Sequence, residues 1–161
     1  MTDVTAVPTT SASPDVAAGA AQFLSPIVVN LSALAIDGKQ AHWHVRGANF
    51  QAVHELLDLV VDHAREWADT AAERVVALGL PIDARIQTVN SKSTTAKLSA
   101  GFQQSDKVIA EIIGQIDATM VLVKAAIEEL AELDAASQDV AIEIARGLEK
   151  DRWFLFAHIS E

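Results

Sequence analysis

The 161-residue chain has no cysteine, which excludes disulfides, thiolate zinc sites and cysteine-held iron–sulfur clusters. No uninterrupted apolar run reaches the ~18 residues expected of a membrane span. The opening "MTDVTAVPTTSASPD" has neither the basic nor the apolar region of a secretory signal. A cytoplasmic protein with no membrane partner is the expectation. No Lys or Arg precedes Lys39, and the net charge is −10. Nucleic-acid binding draws on cations that displace phosphate counterions, so this chain is poorly equipped for it. Metal cations suit an acidic surface better.

Half of the sequence is hydrophobic, and proline and glycine are few after residue 26. Ala, Leu, Ile, Val and Glu dominate, a profile of one helical domain with a real core. Residues 1–16, rich in Thr, Ser, Ala, Val and Pro, read as a mobile arm, and 17–161 as the domain. A first helix is expected to start between residues 17 and 26, with Ser25-Pro26 as its cap and first residue, and to end at Arg46. Gly47 and Asn49 supply the turn. A second helix covers about 51–78, with apolar Val53, Leu57, Val60, Val61, Trp67, Ala71 and Val75 at helical spacing. Gly79 and Pro81 end it. Residues 81–103 form a long connection with a short helix near 87–93. Two further helices follow, from about Ser105 to Leu133 and from about Gln138 to His158. The sum is an all-α four-helix bundle with one long crossover.

Chemistry is concentrated in "KQAHWHVRGANFQAVHELLD", residues 39–58, which holds His42, His44, His54, Glu55 and Asp58. Residues four apart share a helix face, so His54 pairs with Asp58, and Asp69 with Glu73 further along the same helix. His42, across the turn, can face His54. Imidazole with carboxylate suits iron, manganese or zinc. The two pairs are centred 15 residues apart, roughly 22 Å at the rise of a helix. Either they are unrelated, or a second chain running antiparallel brings its Asp69/Glu73 against His54/Asp58. The shared site is the favoured arrangement. His44 points about 200° away from His42 around the helix and cannot join the same metal. A within-chain di-iron site built on Glu-x-x-His is absent, because no histidine has Glu three residues before it. His63 and His158 match no ligand position and read as structural.

The run His42-Trp43-x-Val45-Arg46-Gly47-x-x-Phe50-x-x-x-His54-x-x-x-Asp58, then Asp69-x-x-Ala72-Glu73-Arg74 and Leu78-Gly79, resembles the signature of the Dps-like mini-ferritins, DNA-binding proteins from starved cells. "DRWFLFAHI" near the C-terminus is similar to that family's last helix, and the likeness spans about residues 20–159. The resemblance implies a ferritin-like subunit of a hollow homododecamer. It implies iron-oxidising centres at two-fold interfaces, with His42, His54 and Asp58 from one subunit and Asp69 and Glu73 from its neighbour. Fe(II) would be oxidised by hydrogen peroxide or dioxygen and stored inside, limiting oxidative damage. Glu73, Asp58 and His42 would hold the tighter iron, and His54 and Asp69 the weaker one. Lys39, one turn before His42, is expected to reach Asp69 or Glu73 and compete with the second cation. Trp43 is expected beside the site as an electron donor. By the same resemblance, Asp134, Asp139 and Glu143 would line three-fold pores that admit iron.

This sequence departs from the family in having His44 where Asn is common, and in lacking the basic arm that some members use on DNA. Two other functions remain open at this stage. One is a metal-dependent hydrolase of amides or esters at the same site, although no G-x-S-x-G occurs. The other is a DNA-compacting protein without metal chemistry, which the net charge disfavours.

Overall fold

The computed structural model describes residues 10–160. It contains α1 (Pro14–His44), β1 (Val45–Arg46), α2 (Phe50–Ala77), α3 (Ile86–Lys92), β2 (Gln103–Gln104), α4 (Ser105–Leu130) and α5 (Ala135–Ala157). Helices α1, α2, α4 and α5 form the expected four-helix bundle, with α1 packed chiefly on α2 and α4 on α5. Each contributes fully buried aliphatic side chains to one core, among them Leu31, Leu57, Ile112 and Leu148. Removing such a side chain to Ala costs about 2–5 kcal/mol.

Helix α1 starts earlier than the sequence suggested. Ser13, not Ser25, is the N-cap, and its Oγ accepts from the Val16 amide at 3.3 Å. Ser13-Pro14-Asp15 carries the same capping chemistry as Ser25-Pro26, and Ala17, Ala20 and Leu24 give the added turns a buried face. Pro26 lies inside the helix instead. The last residues of the expected arm therefore belong to the bundle, while residues 1–9 lie outside those described. Helix α1 is also long and apolar enough to cross a membrane by length and composition, with 56% of its most apolar window buried. Intervening polar residues hide this from a search for unbroken apolar runs, and here the apolar face is spent on the core.

The other boundaries fall within a few residues of expectation. Helix α4 ends at Leu130 rather than Leu133, and α5 starts at Ala135 rather than Gln138, because Asp134 caps it. The crossover is pinned by two buried amides. Asn30 exchanges hydrogen bonds with Thr94, donating to its Oγ1 (2.8 Å) and accepting from its amide (3.0 Å). Gln115 donates to Asp37 (2.6 Å) and to the Ala96 carbonyl (2.8 Å). At its far end β2 pairs in parallel with β1, Val45 opposite Gln103. This contact ties the α1–α2 turn to the start of α4, close in sequence to His42 and His44.

Candidate metal centre

Helix α1 ends and α2 begins within a five-residue corner that demands unusual backbone. Gly47 (φ 98°) and Asn49 (φ 58°) both take positive φ, where Gly and Asn carry the smallest penalty. The corner folds α2 back along α1, so that residues near Lys39 and His42 face those near His54 and Asp58.

The two imidazoles stack, ring centroids 3.6 Å apart. His42 Nδ1 donates to the His54 carbonyl and His54 Nδ1 to the His42 carbonyl, both at 2.8 Å. A carbonyl can only accept, so each Nδ1 carries a hydrogen, and in the neutral ring the lone pair is then on Nε2. The reciprocal bonds thus fix the tautomer in which both rings offer Nε2 to a metal. Asp58 Oδ1 lies 3.3 Å from His42 Nδ1, and Phe50 packs against His54 with centroids 5.2 Å apart.

Within its own chain Lys39 bonds Asp58, and not Asp69 or Glu73. Running antiparallel, α1 and α2 put Lys39 level with Asp58, and the other two acids are more than two turns further on. The hydrogen bond from the Lys39 ammonium outweighs partial burial, which alone would raise the pKa, and with help from His42 and His54 holds the Asp58 carboxyl below the usual range. An ammonium already sits on this candidate ligand.

Asp69 and Glu73 are exposed on α2. Glu73 is 15 residues beyond Asp58, roughly 22 Å along the axis. Among the described residues of one chain, no three His, Asp or Glu side chains form a group able to hold a metal. Trp43 is 61% exposed, next in sequence to the buried His42. His44 turns away, hydrogen-bonds the Gln40 carbonyl (3.1 Å) and leans on Phe102.

At the other end of α2, Asp134 accepts from the Ser137 amide (3.1 Å), the Ser137 hydroxyl and Arg74 Nη2 (2.7 Å). Burial alone would raise its carboxyl, but these donors outweigh burial and hold it below its ordinary value. Asp139 and Glu143 are exposed one and two turns along α5. Sequence reasoning left His63 without a partner. Its Nδ1 lies 3.0 Å from both oxygens of Asp151, a carboxylate only 2% exposed. Burial pushes Asp151 up, partly offset by His63. Nothing in the sequence pairs these two, because they are 88 positions apart. His158 forms the C-cap of α5.

The four-helix bundle and its crossover helix define a recognised class. A family model described as "Ferritin-like domain" matches residues 22–161. The "DNA protection during starvation protein" of Agrobacterium fabrum is 32% identical over 140 residues, covering 86% of each chain. The structure of Dps from Microbacterium arborescens in the high iron form superposes with a TM-score of 0.92 at 59% identity, covering 94% of this chain and 99% of that one. The Mycobacterium smegmatis Dps tetragonal form gives 0.88 at 30% identity, covering 96% and 94%. The chain belongs to the ferritin-like proteins and, within them, to the Dps family.

Proposed function

We propose that this protein is an iron-storing, protective shell subunit that oxidises Fe(II), preferably with hydrogen peroxide, at a centre shared between two chains. Family membership supports the coarser part, iron storage and protection from damage. The observation that carries the finer part is the half-site. His42 and His54 stack through reciprocal Nδ1–carbonyl hydrogen bonds with Asp58 beside His42, and among the described residues one chain forms no group of three ligands.

Iron is the substrate here. His42 and Asp58 with Glu73 of a second copy would bind the tighter iron, the hard oxygens favouring the Fe(III) product, and Asp69 of that copy would serve the weaker position. His54 completes the weaker position. Peroxide accepts two electrons, so oxidation of two Fe(II) balances its reduction to water with two protons taken up. Trp43 is placed in this reading as a nearby donor of single electrons. Lys39 holds Asp58 until a cation displaces it. Asp139 and Glu143, with Asp134 behind them, would draw cations through three-fold pores of a homododecamer in the cytoplasm. Large exposed apolar side chains such as Ile86 (75%), Val121 (68%) and Trp153 (64%) favour assembly over a monomer.

The test is Fe(III) absorbance after anaerobic Fe(II) loading and peroxide addition. His54→Ala and Glu73→Ala should each slow it by about tenfold or more, as for disrupted metal shells generally. Unchanged rates in both would discard the site.

A further inference from the structure

One stripe of α2 carries His54, Asp58, Asp62, Arg65, Asp69 and Glu73, at successive spacings of 4, 4, 3, 4 and 4 residues. Steps of three and four keep all six on one helix face, and each is exposed or half-buried. The spacing reads the same from either end. Its centre falls between His63 and Ala64, halfway between the His54/Asp58 and Asp69/Glu73 pairs.

Asp62 and Arg65 straddle that centre with opposite charges. Within the chain they make only a loose contact of 3.7 Å, with side chains 72% and 61% exposed. In an antiparallel pairing of two α2 helices, the register that sets Asp58 opposite the other copy's Asp69 also sets Asp62 opposite the other copy's Arg65. By symmetry the reverse contact forms as well.

We propose that Asp62 and Arg65 form a pair of reciprocal ion pairs across the two-fold axis, and that these fix the register in which the shared metal centre is assembled. This rests on the two-chain reading of the site. It goes further by assigning an interface role to two residues that are not ligands. The charges are self-complementary only in the antiparallel register that completes the centre. Charge complementarity of this kind selects register and partner more than it adds affinity.

Two variants separate an inter-chain from an intra-chain role. Asp62→Arg places four arginines at the axis of a homodimer, and Arg65→Asp places four acids there. Each alone should weaken two-fold association on the order of tenfold, read by native mass spectrometry on dilution. Mixed together, the two variants should pair preferentially with each other and recover wild-type association. Their joint assembly should also recover cobalt(II) binding per chain. If the mixture shows no preference for mixed pairs, or if both single variants associate like wild type, the proposal is overturned. Failure of the metal reading is visible separately. In that case mixed pairs form, but Glu73→Ala leaves cobalt binding unchanged.

Discussion

At the scale of single residues, Lys39 sets the electrostatics of Asp58, a ligand of the proposed centre. It neutralises Asp58, so Lys39→Met should raise the Asp58 pKa toward its ordinary value, measurable by carbon-detected NMR titration of the carboxyl. The same variant should also bind a second cation more tightly, since the competing ammonium is gone, and cobalt titration reads that directly. The wild-type sign is fixed by the depressed pKa. Whatever Asp58 ionisation adds to folded-state stability is present above its unfolded value and is lost as pH falls through the folded one. With its side chain 43% exposed, that contribution is small.

At the scale of elements, α2 and α5 are joined at two places by charged contacts. The Asp134 cap bonds Ser137 and Arg74. Asp134→Ala should cost about 1 kcal/mol from the cap alone, and more from the orphaned guanidinium, seen as a lower Tm. One turn beyond Gly147, the Asp151–His63 pair behaves in the opposite sense with pH. Burial raises the Asp151 pKa, so the folded state holds its proton more tightly than the unfolded chain. Its stabilising share is full below the unfolded value and declines as pH rises through the folded one. Asp151→Asn keeps an acceptor for His63 and should flatten this decline in Tm across the weakly acid range. Gly147 itself is fixed by packing, because an added Cβ would lie 2.0 Å from Trp67 Cζ2. Gly147→Ala should destabilise by about 1–3 kcal/mol through overpacking.

At the scale of the whole molecule, the outcome to expect is a particle of twelve times the 17.2 kDa chain mass by light scattering. A stable monomer would sink both the shell and the shared centre. Net charge −10 opposes binding to a polyanion, so an agarose shift of DNA at low salt should be absent. It should appear, if anywhere, only with a divalent cation bridging the two acidic surfaces.

Much of this protein was written locally. Helix periodicity, the Gly47–Asn49 turn, the Gly79 stop and the long crossover all follow from neighbours in sequence, and they yield the bundle. His42, His54 and Asp58 stand out because a short turn and a four-residue step bring them together without reference to the rest of the chain. The start of α1 was missed because two Ser-Pro pairs offer equivalent caps, and only packing of Ala17 and Ala20 chooses the earlier. The tautomer-setting bonds between His42 and His54, the partner of Lys39, the strand pair at the corner and the Asp151–His63 contact depend on how helices lie against one another. Such contacts join residues that no periodicity relates, since their distances are set by the packed core rather than by the chain between them.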